Sequence, residues 1–288
     1  MPARLLVIEG NTADARARQV SFGGEAASEG YARLLRELFP DAVVDICYPA
    51  DPGANLPDSG GLEGYDGIAI TGSSLNIYNR DPAITQQIDL LRAAFTTATP
   101  VFGSCWGLQL ITVAAGGVVR KNPLGRELGF GRRIRITDEG VGHPMFEGKP
   151  PVFEAMTVHL DEVETLPEGA RILASNDHSI VQAAEVPLGN GAVAWGVQYH
   201  PEYPFREMAA IFRRLRPSLV AEGFFMDEEA ESAFIDDLEA LERDPTNRPL
   251  IWRNGVDGAV ISKDLRTREI RNWVNHQVIP TRAKRGRG

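Results

Sequence analysis

Cysteine is scarce in this sequence: two occur in 288 residues, Cys47 and Cys105, with no C-x-x-C pair and no Cys/His cluster at ligand spacing. That argues against a disulfide scaffold or a structural zinc site and fits a reducing compartment. A cytoplasmic protein without metal or cofactor is expected. Positive charge is also lacking: the formal net charge is −9, which leaves no overall basic field to attract nucleic acid or anionic lipid. The one basic cluster, Arg282-Ala283-Lys284-Arg285-Gly286-Arg287-Gly288, reads as a frayed tail. No apolar run approaches the ~20 residues that span a bilayer, and Leu5-Leu6-Val7-Ile8 before Glu9 reads as a first strand, not a signal peptide. Neither nucleic acid nor membrane is an expected partner. A G-x-x-x-x-G-K-[ST] phosphate loop is missing too, as are internal repeats and low-complexity tracts.

What is present is an alternation of short apolar runs with helical periodicity, the pattern of strands joined by crossover helices. It predicts an α/β fold: an open, mostly parallel sheet flanked by helices. Strands are expected over residues 5–8, 42–48, 66–71 and 100–103, and helices over 29–38, 82–98 and 106–115, with a loop over 51–64. Residues 118–199 shift to short alternating segments, further strands of the same domain, some of them antiparallel. After Pro204 the periodicity is helical through residue 243, with an acidic face over 227–239 and Phe234, Ile235 and Leu238 turned inward; a last helix is expected near 264–276. The expected organisation is a catalytic domain over residues 1–204 and a helical C-terminal extension over 205–288.

The most informative segment is Gly103-Ser104-Cys105-Trp106-Gly107. This G-x-C-x-G pattern is the cysteine counterpart of the G-x-S-x-G elbow, in which flanking glycines allow a sharp strand-to-helix turn that exposes the nucleophile. A thiol there would meet the unpaired N–H groups of a helix N-terminus, which favour thiolate. Taken alone, the segment is read equally well as a small buried cysteine between glycines. A nucleophile needs a base and an orienting group. Trp195-Gly196-Val197-Gln198-Tyr199-His200-Pro201-Glu202 supplies both, because His200 and Glu202 lie two residues apart on extended backbone and project to one side. An oxyanion hole would take the N–H of Trp106 and a second donor at Gly72 in Thr71-Gly72-Ser73-Ser74, a segment that otherwise reads as a polar turn.

These residues, with Tyr78 and Val158-His159-Leu160-Asp161-Glu162-Val163, resemble the class I, triad-type glutamine amidotransferases, and within them the stand-alone GMP-synthase-glutaminase-like branch. The resemblance covers residues 1 to about 204 and implies a Cys105–His200–Glu202 triad acting on a γ-carboxamide through a γ-glutamyl thioester. It further implies that Gln109 and the backbone near Gly72 and Leu160 contact the glutamyl group, and that His159 either lines the pocket or caps a turn. Glutamine or a γ-glutamyl small molecule is the implied substrate, with a separate synthetase subunit as a candidate acceptor of ammonia and homo-oligomerisation left open. Two departures stand out. Gly72-Ser73-Ser74 replaces the family's frequent Gly-Gly-Pro or Gly-Ser-Pro, and Leu160 replaces a small residue. Two other readings remain: a non-catalytic module of the same fold, and a redox-sensing cysteine with Cys47 as the resolving thiol. His143 and His178 lie in turn-rich segments and read as exposed loop residues; His276 reads as the end of the last helix.

Overall fold

The computed structural model describes residues 2–54, 56–189 and 191–287. The chain begins β1 (Arg4–Ile8), α1 (Ala13–Ser21), α2 (Ala27–Leu38), β2 (Val43–Cys47), α3 (Ser59–Glu63), β3 (Gly67–Ile70) and α4 (Pro82–Phe95). It continues with β4 (Val101–Ser104), α5 (Trp106–Ala114), β5 (Val118–Lys121), β6 (Glu127–Ile136), β7 (Val152–His159) and β8 (Asp161–Thr165). Then come β9 (Arg171–Ser175), β10 (Ala183–Pro187), β11 (Val193–Val197), α6 (Phe205–Ala221) and α7 (Glu228–Arg243). The chain closes with α8 (Arg248–Asn254), α9 (Gly258–Ile261), α10 (Lys263–Arg266), α11 (Arg268–Trp273), a π-helical turn (Val274–Val278) and α12 (Ile279–Lys284). The expected strands and helices of the first half are present. Helix α1 was not expected, because its mean polarity and lack of buried residues leave no apolar stripe in the sequence.

One sheet of nine strands runs in the order β2-β1-β3-β4-β11-β10-β9-β6-β7, and β5 pairs with β8 in a separate ribbon. Pairings from β2 to β11 are parallel; those from β11 to β7 are antiparallel. Alternate residues on each parallel strand feed two cores. Leu5, Val7 and Phe102 face α2 and the C-terminal helices, whereas Leu6, Ile8 and Val101 face α4 and α5. Phe130 and Met156 form a third cluster with α6 and α7.

The C-terminal helices are built into this core. Ile270, Trp273, Val274 and Val278 are buried against the sheet, with Phe102 and Trp273 ring centroids 5.9 Å apart. Trp273 and Val278 press so closely on β3 that a Cβ at Gly67 would lie 2.8 Å from Val278. The basic terminus is likewise docked rather than frayed. Arg285 donates to the carbonyls of Tyr65 and Thr97, and Arg287 meets the buried Asp66 at 3.3 Å. The composition showed only positive charge, while its partners, a buried carboxylate and orphan carbonyls, lie about 200 residues away. The acidic helix α7 turns Ile235 and Leu238 inward as expected.

Candidate active site

Cys105 terminates β4 and caps α5 with φ 52° and ψ −101°, a left-handed conformation unusual for a residue with a side chain. The flanking glycines make the turn sterically accessible. A Cβ on Gly103 would lie 2.4 Å from the carbonyl carbon of Gly107, and one on Gly107 would lie 2.7 Å from the Ile70 carbonyl oxygen. Because the obstructing atoms are backbone, they cannot rotate away. Gly103→Ala is therefore expected to destabilise the protein by at least about 3 kcal/mol, read as a melting temperature lowered by roughly 6 °C or more. A melting curve matching the wild type would mean that the elbow is not packed as described.

Strand order sets the neighbours of Cys105. β4 lies between β3 and β11, all three parallel, so Gly72 after β3, Cys105 after β4 and His200 after β11 emerge at adjacent carboxyl ends. Ligands of open α/β sheets bind at such ends. The Cys105 N–H donates to the Val197 carbonyl at 2.7 Å, locking elbow to β11, and its thiol faces the Val158 carbonyl at 3.9 Å.

His200 is 1 % exposed, and its Nδ1–H donates to Glu202 Oε1 at 2.7 Å. Nε2 is buried without a partner at hydrogen-bonding geometry. Burial opposes charge on this ring, but Glu202 and Cys105 outweigh it, and the imidazole pKa is raised from 6.5 to about 10. Tyr203 lies flat on the ring, centroids 4.0 Å apart and planes 5° apart. Cys105, His200, Gly72, Gln109, His159 and Leu160 all line one cavity of about 560 Å³.

The remaining predicted residues divide by role. The Gln109 side-chain amide donates to the Asp161 carbonyl at 3.2 Å and to Gln198 Oε1 at 3.3 Å. His159 lines the cavity with both nitrogens engaged, Nε2 with Glu127 at 2.8 Å and Nδ1 with the Asp161 carbonyl at 2.9 Å. Burial alone would raise the Glu127 carboxyl, but hydrogen bonds from His159, Asn176 and Gln182 hold it below its usual value. Neither Gly72 nor Trp106 donates its backbone N–H to another described residue. The Trp106 indole instead donates to Gln87 at 2.8 Å, fixing the first residue of α5.

Three histidines differ from expectation. His143 is buried rather than exposed, with Nε2 3.0 Å from Glu185, Nδ1 accepting from the Met145 N–H and its ring 5.0 Å from Trp195. His178 is half-buried and bonded to the Gly125 carbonyl. Turn composition identified both loops, but not that they fold against the sheet. His276 is exposed as a helix residue but precedes α12, so it does not end the last helix. Cys47 sits on β2, three strands from β4 and hence roughly 14 Å away. Burial pushes its thiol up to about 12. That distance exceeds disulfide reach, so Cys47 is not a resolving thiol for Cys105 in this fold. Tyr203, Gln198 and Glu127 were not singled out from sequence. Only Tyr203 carried a local signal, its place directly after His200-Pro201-Glu202.

No helix among the described residues is long and apolar enough to cross a membrane, and no group of three or more His, Cys, Asp or Glu among them could hold a metal ion. A γ-glutamyl-L-1-hydroxyisopropylamide hydrolase of a Pseudomonas species is 38 % identical, over 98 % of this chain and 95 % of that protein. γ-Glutamyl peptidase 5 of Arabidopsis thaliana is 30 % identical over 60 % of the chain and 68 % of the relative. Among solved structures, a glutamine amidotransferase from Thermotoga maritima superposes with a TM-score of 0.66 at 17 % identity, over 96 % of this chain and 99 % of that one. The sequence model for "Glutamine amidotransferase class-I" matches residues 34–215, more than half of the chain, from within α2 to within α6, a stretch that carries the elbow and His200. With fold, motif order and sequence match in agreement, the chain belongs to the class I glutamine amidotransferase family.

Proposed function

We propose that the protein hydrolyses the γ-amide of glutamine or a related γ-glutamyl compound through a γ-glutamyl thioester on Cys105. The observation that carries this reading is the meeting of an elbow cysteine, a carboxylate-held imidazole and a glycine backbone at three adjacent strand ends. The thiolate attacks the amide carbon, and the resulting oxyanion accepts the N–H groups of Gly72 and Trp106. The C–N bond breaks as the His200 imidazolium passes its proton to the departing nitrogen. Water, deprotonated by the now neutral imidazole, then cleaves the thioester to glutamate. Glu202 keeps the ring in the tautomer and orientation both half-reactions need. Gln109 and the backbone around Leu160, with His159 held behind it, form the wall assigned to the glutamyl group.

Release of an amine is supported by the activities named for the Pseudomonas and Arabidopsis relatives. Delivery of ammonia to a synthetase subunit is the alternative fate of the same thioester; it predicts glutaminase activity that rises when such a subunit is added. Residues 1–204 would carry the chemistry, and residues 205–288 would cover the sheet and wall the cavity through α6.

Mass spectrometry tests the covalent step. Rapid acid quench during turnover of a γ-glutamyl amide should trap one glutamyl group on the Cys105 peptide, and its absence across glutamine, glutathione and other γ-glutamyl amides that are turned over would refute the thioester. Gly72 supplies a second test. Its Cβ as alanine would lie 2.6 Å from His200 Cε1, displacing the imidazole. Gly72→Ala is expected to lower kcat about 10²-fold in protein that remains folded. An undiminished kcat would remove Gly72 from the site.

A further inference from the structure

We propose that the cavity accepts γ-glutamyl amides whose departing amine carries a carboxylate, and that Arg214 on α6 is the residue that reads this carboxylate. This inference rests on the γ-glutamyl hydrolase reading and adds the identity of the other half of the substrate.

The cavity is larger than a glutamine side chain requires. Its roughly 560 Å³ falls in the range of small-molecule sites, about 300–1,000 Å³. Beyond Cys105 and His200 it continues along a second wall made by α1 and α6, where Gln19, Glu207 and Arg214 face it. Gln19 links the other two: its carbonyl accepts from Arg214 Nε at 2.6 Å, and its amide donates to Glu207 Oε1 at 2.6 Å. The guanidinium is thereby fixed through Nε, leaving its two terminal nitrogens for a ligand.

Charge bookkeeping singles out Arg214. Of the cavity's arginines, Arg16 pairs with Asp51 at 2.7 Å, Arg126 pairs with Glu222 at 3.0 Å and Arg18 is exposed, whereas Arg214 is half-buried with no carboxylate of a described residue within 4.0 Å. The nearby carboxylates are already engaged: Glu207 also accepts the Glu25 N–H at 3.1 Å, and Glu25 pairs with Arg33. Burial, and secondarily the proximity of Arg18 and Arg126, lowers the Arg214 pKa; Tyr203 and Glu207 offset this only in part. A half-buried cation with no carboxylate in contact is costly, and a planar carboxylate accepting two N–H bonds offsets that cost. The acylation step is unchanged: C–S forms, C–N breaks, and the protonated amine leaves with its carboxylate on Arg214.

The test compares γ-glutamyl-alanine with γ-glutamyl-alaninol, which differ only in carboxylate against hydroxymethyl. Wild-type kcat/KM should favour the carboxylate by about 10- to 100-fold, chiefly through KM, the range for a charge-assisted hydrogen bond. In Arg214→Met the ratio should fall to near one, and Arg214→Lys should keep part of it. A wild-type ratio at or below one overturns the inference whatever the variants do, as does an unchanged ratio in Arg214→Met. Should the Met variant fail to fold, the wild-type ratio and the Lys variant decide. If neither amide nor glutamine is cleaved, or Cys105→Ala cleaves them, the hydrolase reading itself fails; equal cleavage of the two amides by wild type, or cleavage of glutamine alone, sinks only the inference about Arg214.

Discussion

Cys105→Ala is expected to lower kcat on any γ-glutamyl substrate by about 10⁴–10⁶-fold, the loss seen when a covalent nucleophile is removed. The protein should remain folded, because Sγ makes only a weak hydrogen bond, 3.9 Å to the Val158 carbonyl, and the elbow is held by backbone, through Cys105 N–H to Val197 and the Gly103–Gly107 contact. Circular dichroism should show an unchanged melt alongside the lost turnover. Residual kcat within tenfold of wild type would remove Cys105 from the chemistry, and unfolding would recast it as a packing residue.

The second large effect concerns Glu202. Because its carboxylate is the leading group opposing burial at His200, Glu202→Gln should lower the imidazole pKa from about 10, leaving only Cys105 to hold it up. A raised folded-state pKa gives stability that is full below the unfolded value, about 6.5, and is lost as pH rises through the folded value, here about 10. Wild-type melting temperatures should therefore carry a falling limb between these two pH values that is shallower in the Gln variant. Activity should drop by about 10²–10⁴-fold, since an amide can hold the wrong tautomer. Nitrogen-15 spectra of the imidazole read the pKa directly; an unshifted His200 would show that another group sustains it.

Much of the site was legible because its chemistry is written in short local patterns. Gly103 and Gly107 flank Cys105 at the spacing a strand-to-helix turn demands, and each glycine proves to abut backbone. His200 and Glu202 needed only the two-residue period of extended chain. Helix α1 escaped notice because it buries no residue, yet it supplies Gln19 to the cavity wall. His143 looked like a loop residue because its burial depends on Glu185 and Trp195, 42 and 52 positions away in sequence.

The sequence by itself determined the parallel α/β class, the elbow and the histidine–glutamate pair, since each follows from periodicity or from steric rules acting over a few residues. Only the tertiary structure decided that β3, β4 and β11 are neighbours, that Tyr203 stacks on His200, that the C-terminal helices share the sheet's core, and that Arg214 faces the cavity without a carboxylate partner. Those features are set by packing between segments distant in the chain, where burial and charge compensation depend on which surfaces meet.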